Sequence, residues 1–399
     1  MLKLNLAARR SAGGPGRRLM KKTSSAELKR REKFLLEVTS LPTAAAHEGA
    51  VIRFVGAWVE ARPHLALASD RHGNLLITRA DFKRACRRNP PLFITAHLDH
   101  PAFIVLSAEG RELRLEFRGG VQDAYFKDAA IEIFSEDLSR SYPARVTSLD
   151  PAAKPFKTVT ARLAGPAPLK PGCLGRWKFP AASIKKGVAY TQACDDLAAV
   201  AAALTAYDGI SRDKKLAHTA LLFTRAEEVG FVGAIGAARG GTIPKNARLV
   251  CLECSRSFPH DSPIGGGPIV RVGDRMSVFT PELTNLVSNA AAAYQKANPA
   301  FKFQRKLMPG GVCEASAFSF YGLSSTCLCL PLGNYHNMAD LDGVARGKKA
   351  RVGQEHVAAA DFHGLVELLG VIARELDAPR PAPRQAMEKI WAEKGALLR

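Results

Sequence analysis

Glu227 and Glu228 stand side by side in Phe223-Thr224-Arg225-Ala226-Glu227-Glu228-Val229-Gly230, directly after a largely apolar run over 216–223. A buried strand that ends in adjacent carboxylates sets two acids at the tip of a sheet. One can hold a metal while the other moves protons. An isolated Glu-Glu pair is more ordinarily a solvated turn, so the neighbouring segments decide the reading.

Three further apolar runs end in residues of the same kind. Residues 91–96 lead into His97-Leu98-Asp99-His100, 249–252 into Glu253, and 324–330, through Pro331 and Gly333, into His336. Continuous apolar runs of this length predict strands buried on both faces, as in parallel sheets. Ligands of open α/β sheets bind outside the carboxyl ends of the strands. His97, Glu228, Glu253 and His336 can therefore meet in one crevice. Asp195 joins them from Gln192-Ala193-Cys194-Asp195-Asp196, ahead of an Ala-rich helix. Two imidazoles and three carboxylates suit Zn, Co or Mn better than Ca or Mg. Five ligands exceed one tetrahedral ion with an open position and fit two ions sharing a carboxylate. Asp99, two residues beyond His97, lies on the same side of an extended chain and could accept the other ring N–H of His97.

These segments resemble the glutamyl-aminopeptidase (tetrahedral aminopeptidase, cellulase-M-like) family of dinuclear metallopeptidases, over most of residues 25–375. Thr95-Ala96-His97-Leu98-Asp99 looks like its first ligand motif and Cys194-Asp195-Asp196 like its bridging-aspartate motif. The segment 223–234 is similar to nearly the whole family signature. Gly265-Gly266-Gly267-Pro268 resembles a later turn, and Tyr335-His336-Asn337 the last ligand. The resemblance implies a zinc-exopeptidase-like fold, two divalent ions (Zn, or Co or Mn), a peptide substrate with a free amino end, and a homo-oligomer. It implies that Asp195 bridges, with His97 and Glu253 on one ion and Glu228 and His336 on the other. Glu227 then takes a proton from the attacking water and passes it to the leaving amine. The chain departs from the family at His100, where Glu is usual, at Glu253, where Asp is usual, and at Gly311-Val312-Cys313-Glu314-Ala315 in place of Gly-Thr-Asp-Ala. These departures surround the substrate pocket. They leave open a deacylase or amidase acting on non-peptide amides, and, from a different class, a basic binding protein that keeps the fold without catalysis.

The elements that must position this set read as a mixed, mostly parallel α/β sheet with helices on both faces. Residues 1–24 are a loose basic arm. The catalytic domain covers 25–100 and 189–375, with helices over 25–39, 49–61, 196–208, 229–239, 281–296, 313–321 and 355–375. Alternation such as Glu112-Leu113-Arg114-Leu115-Glu116-Phe117 marks 101–188 as an inserted β-rich domain. In the resembling family an insert at this point helps to build oligomers. Residues 376–399 form a tail with a proline-rich link and a short amphipathic helix.

A chain of 399 residues can bury a large core. It has no apolar stretch long enough to span a membrane and no apolar run of a secretory signal near its start. The eight cysteines show no disulfide framework, which points to a reduced, cytoplasmic setting. Cys251 and Cys254 face opposite sides of a strand and do not read as a metal pair. Much of the formal charge of +20 lies in the tails. Such tails are ordinarily solvated, although they can attract nucleic acid or anionic membrane, and the Arg-rich start also resembles an organelle presequence. No nucleic-acid motif is present, so no specific nucleic-acid partner is expected. His356 and His363, seven apart on one predicted helix, read as packing or solvated residues. His100 reads as a group behind the ligands or facing substrate. The Gly265–Gly267 turn reads as a close approach of backbone to the site.

Overall fold

The structure, a computed structural model, describes residues 23–378 and 383–398. Most of the basic arm thus lies outside the described residues. The first helix, α1 (Ser25–Val38), is capped by Ser24, because the Ser24 hydroxyl accepts from Glu27 N, three residues on, at 3.2 Å. Next come α2 (Gly49–Glu60), β1 (Leu65–Ser69), β2 (Leu75–Arg79), α3 (Phe82–Ala85) and β3 (Leu92–His97).

Residues 102–177 then leave the sheet. Six antiparallel strands, β4 (Ala102–Glu109), β5 (Glu112–Arg118), β6 (Ala130–Phe134), β7 (Ser141–Asp150), β8 (Lys157–Leu163) and β9 (Leu174–Trp177), close into a barrel in the order β4-β5-β8-β7-β6-β9. Alternate residues point inward and supply its core, where the rings of Phe103, Phe117, Phe126 and Trp177 pack at centroid distances from 4.7 to 6.1 Å. Closure also removes the open edges that an inserted antiparallel sheet would otherwise expose.

The chain returns through β10 (Ser183–Lys185) and β11 (Val188–Thr191) to α4 (Leu197–Ile210). This helix is apolar all round and correspondingly buried. Strands β12 (Thr219–Thr224), β13 (Arg248–Arg256), β14 (Ile269–Gly273), β15 (Gln304–Leu307) and β16 (Ser324–Leu332) complete an eight-stranded mixed sheet, ordered β1-β2-β12-β3-β13-β16-β14-β15. Its central four strands are mutually parallel. Helices α4, α6 (Pro281–Ala297) and α9 (Ala359–Glu375) cover one face, and α5 (Val232–Gly240) and α7 (Glu314–Phe320) the other. Between β16 and α9 run the short pieces β17 (Met338–Ala339), α8 (Leu341–Ala345), β18 (Arg351–Val352) and β19 (Glu355–Ala358), and α10 (Pro383–Lys394) lies beyond α9. Cys254 packs with the first layer and Cys251 with the second, as expected for residues three apart on β13. All eight cysteines are free thiols.

Three expectations need correction. The helix expected from 229 begins only at Val232, because 226–231 form a turn that holds Ala226 and Phe231 at positive φ. The helix expected from 355 begins at Ala359. Residues Glu355–Ala358 are instead the strand β19, paired with β11, so His356 and His363 do not share a helix. The Gly265–Gly267 turn approaches the backbone of Lys302 and Phe303, and Asp361 holds it by accepting from Gly265 N and Gly267 N. The close approach is made there, to a neighbouring segment. Among the described residues, no helix is long and apolar enough to cross a membrane.

Candidate metal centre

Parallel pairing aligns the strand ends. His97 at the end of β3 sits opposite Thr224 at the end of β12, and Glu253 on β13 opposite Cys329 on β16. The loops that leave these ends carry Glu227–Glu228 and His336, while Asp195 enters from the start of α4. The structure brings all six together. His97 Nε2 lies 3.3 Å from Asp195 Oδ1, 3.8 Å from Glu253 Oε1 and 3.9 Å from Glu227 Oε2. His336 Nε2 lies 3.6 Å from Asp195 Oδ2 and 3.2 Å from Glu228 Oε2. The two oxygens of Asp195 thus divide between the imidazoles, one each.

Both rings turn Nε2 into the cluster because Nδ1 is engaged elsewhere. His336 Nδ1 donates to Gly120 O at 2.7 Å, a carbonyl contributed from beside the barrel. His97 Nδ1 faces the Asp99 backbone carbonyl at 3.2 Å, with the Asp99 carboxylate at 3.5 Å. The Asp99 carboxylate also accepts from Glu227 N at 2.9 Å and Glu228 N at 3.1 Å. One acid therefore orients His97 and fixes the turn that carries both glutamates.

Sequence reasoning missed several supports of this site. Glu48, fully buried, accepts from Ala226 N at 3.0 Å and pairs with the Arg225 guanidinium at 2.7 Å. Asn74 accepts from Arg225 N and donates to Gly233 O. Glu355, also fully buried, accepts from Asp195 N at 3.0 Å and His336 N at 2.8 Å. His100 makes contact with Asp195 O at 2.5 Å and Asn337 Oδ1 at 3.0 Å, so it stands behind the cluster and braces its loops. Asp196 Oδ2 accepts from His97 N. No local pattern around Glu48 or Glu355 distinguishes them from surface acids; contacts with segments distant in the chain give them their roles.

The electrostatics are those of an anionic pocket. Burial holds Glu227 well above the usual carboxylate range; His97 opposes this, while Glu228 and Asp99 reinforce it. Burial likewise raises Glu253, with Asp195 adding repulsion. Burial also pushes Asp195 upward, yet the flanking His336 and His97 pull it far below its ordinary value. Burial lowers both imidazoles, but Glu227 beside His97 and Glu228 beside His336 overcome this and raise them strongly. Uncompensated charges of one sign are costly when buried, so protons or cations must balance them.

The donor set fits divalent cations. Ligand atoms of His97, Asp195, Asp196 and Glu253 lie within 4.8 Å of one another, as do those of Asp195, Glu228 and His336. No well-directed hydrogen bond reaches Asp195 Oδ1 or Glu228 Oε1, although both are buried. Asp195 Oδ1 faces His97 Nε2 at 3.3 Å, and an orphaned carboxylate oxygen beside an imidazole nitrogen is what a metal would use.

Known proteins resemble this chain in sequence and in fold. Residues 168–349 match the model of the M42 glutamyl aminopeptidase family, a stretch holding Asp195, Glu227, Glu228, Glu253 and His336. This is the family that the sequence motifs resemble. A TET1 peptidase of Pyrococcus horikoshii superposes with a TM-score of 0.65 at 18% identity, covering 86% of this chain and 99% of that one. An aminopeptidase of the archaeon Desulfurococcus kamchatkensis gives 0.67 at 16%, covering 89% and 99%. A Thermotoga maritima aminopeptidase of the M18 family gives 0.60 at 14%, covering 88% and 97%. At these identities the likeness is one of fold. A search of curated proteins finds no match.

Proposed function

We propose, from the match to a family of peptidase hydrolases as premise, that this chain is a dinuclear metal-dependent aminopeptidase. The observation that carries the reading is the division of the Asp195 oxygens between His97 and His336, with Glu253 beside the first imidazole and Glu228 beside the second. His97, Asp195 and Glu253 would hold one ion, and Asp195, Glu228 and His336 the other. When bound, the ions supply Lewis acidity for the scissile carbonyl and lower the pKa of the attacking water. Glu227 is outside that assignment and faces His97 at 3.9 Å, and burial already raises its proton affinity. It takes the proton of the nucleophile and returns it to the departing amine. Asp99 holds the Glu227 backbone, so the base is positioned by the same acid that orients His97. Zinc is the ion that the His-carboxylate set fits best, with cobalt or manganese as substitutes.

The Pyrococcus horikoshii relative is described as assembling into a tetrahedron or an octahedral shell. By that likeness this chain forms a homo-oligomer, with the barrel of residues 102–177 as the added contact module.

An aminoacyl-anilide panel assayed with Zn, Co and Mn in turn tests the reading, together with elemental analysis after gel filtration. About two divalent ions per chain are expected, with cleavage of a free-amine peptide and not of its N-acetylated twin. Equal cleavage of both peptides would point to the deacylase. A folded protein that neither carries nor regains metal would overturn the metallopeptidase reading altogether.

A further inference from the structure

We infer that the end of the molecule opposite the metal centre, together with the C-terminal helix, docks on an anionic membrane surface. Three segments that precede parallel strands converge at that end. Leu92 N donates to His218 O, and Arg248 N to Pro91 O, so residues 83–91, 212–218 and 245–247 lie together. They expose Lys83, Arg87, Arg88, Lys214, Lys215 and Lys245. None of these six has an ion-pair partner among the described residues. Three acids of this face are paired with arginines, Asp81 with Arg79, Asp208 with Arg62 and Asp377 with Arg248, at 2.8, 2.7 and 2.5 Å, and Asp213 accepts from Lys215 N at 2.9 Å, one carboxylate against the six cations. The surplus is cationic, on one face.

The second observation is α10. Met387, Ile390 and Trp391 recur at helical spacing, and Leu397 and Leu398 extend their stripe. All five are exposed, Trp391 by 56% and the two leucines by 83% each. Lys389 and Glu393 pair on the opposite side, and Arg384 and Glu388 pair along the flank of the stripe. This is a helix whose apolar face remains exposed.

Connectivity joins the two. Asp377, immediately before the link, is fastened to the basic face through Arg248, with His218 Nε2 3.2 Å away. The link from Ala378 to Pro383 is short, so α10 starts within about 18 Å of that face. A short amphipathic helix or a cationic patch alone gives weak, reversible membrane binding; stable attachment takes two such signals. Lipid fits better than nucleic acid. The patch exposes no aromatic side chain on which bases could stack, and a phosphate backbone offers no apolar phase to Trp391, Leu397 and Leu398. The strands of the central sheet run about 20 Å from the basic end to the metal centre, so docking leaves the crevice facing water.

Vesicles of phosphatidylcholine and phosphatidylserine in a ratio of about 70:30, a strongly anionic surface, against phosphatidylcholine alone, test this with the full chain. Sedimentation with the anionic vesicles only, reversed by high salt, is expected. Trp58 and Trp177 are buried, so a blue shift of tryptophan emission on binding reports Trp391. Reversing Arg87, Arg88, Lys214 and Lys215 to Glu should weaken binding at least about tenfold, since each cation near such a surface is worth roughly fivefold. Ile390→Asp should remove the blue shift and most of the binding. Both variants should keep wild-type melting temperature and amide hydrolysis, because none of these residues touches the metal centre. Anionic vesicles that leave the protein in the supernatant, or wild-type binding by both variants, would overturn the proposal. So would an Ile390→Asp protein of reduced molecular mass in solution and unaltered vesicle binding, which gives the helix to a second copy. Displacement by RNA with Trp391 emission unmoved would make the face a polyanion site instead, and also overturns it.

Discussion

Glu227 and Glu228 are adjacent in the chain, share Asp99 as the acceptor of their backbone amides, and yet point to different partners. Glu228 meets His336 at 3.2 Å, while Glu227 lies 3.9 Å from His97. Their replacement should therefore fail differently. Glu227→Gln keeps shape and removes the proposed base, so metal content should stay near wild type while turnover falls roughly a hundredfold to ten-thousandfold. Glu228→Ala removes a proposed ligand, so one ion should be lost or weakened, with partial recovery of activity at high metal concentration. Elemental analysis beside kinetics separates the two. A Glu227→Gln protein that loses metal while Glu228→Ala keeps it would reverse the assignment, and full activity in both would place the chemistry elsewhere.

At the scale of elements, the turn between β12 and α5 carries Glu227 and Glu228 and is held from three sides, by Glu48, Asn74 and Asp99. Ala226 has φ 52° and Phe231 φ 59°, conformations that a non-glycine residue holds only when its surroundings impose them. Gly233 sits where α5 begins against this turn. A Cβ there would collide with the backbone N and O of Arg225, which cannot swing aside, and with Asn74 Oδ1, which Arg225 N holds in place. Gly233→Ala should cost about 1–3 kcal/mol, the usual range for overpacking, and should lower turnover by shifting Glu227. Denaturant unfolding and kcat read the two effects. An unchanged stability would show that the turn relaxes freely. The last ligand has a similar setting: Asn334, His336 and Asn337 all have positive φ, and Glu355 and His100 brace them.

Across the whole molecule, His47, His218, His356 and His363 are buried or half-buried, and burial is the main cause holding each below its ordinary value of 6.5. A lowered imidazole pKa means that the unfolded chain binds more protons than the folded one. Stability from these groups is then complete above about pH 6.5 and falls away as acid drives protons onto the unfolded chain. His97 and His336, raised by their carboxylate neighbours, contribute with the opposite sign, so the test is a difference: from about pH 7.5 to 5.5, His356→Gln, which lies on β19 outside the metal centre, should lose less melting temperature than the wild type. Equal pH dependence in the two proteins would contradict the burial of this ring. Loss of metal on acidification acts in the same direction, and for that reason the comparison with His356→Gln is the informative one.

The chemistry of this chain was legible locally wherever one segment held both the strand and its terminal ligand. Apolar runs ending in His97, Glu228 and Glu253 announce their positions, because parallel strands deliver their terminal residues to one edge of the sheet. The inserted β-rich segment was legible from its alternation, since a half-buried strand repeats every two residues. What locks the site was not. Glu48 and Glu355 read as ordinary surface acids, and 355–358 as the start of a helix, because their partners are Ala226, Asp195 and His336, brought near only by folding. Helix and strand patterns record which face of an element is buried; they do not record which distant amide a buried carboxylate must satisfy. The sequence by itself therefore determined the α/β frame and the order in which the candidate ligands reach its edge. The tertiary structure alone decided that Asp195 divides its oxygens between two imidazoles, that Asp99 and Glu355 hold the ligand loops, and that Lys83, Arg87, Arg88, Lys214, Lys215 and Lys245 share the end opposite the metal centre.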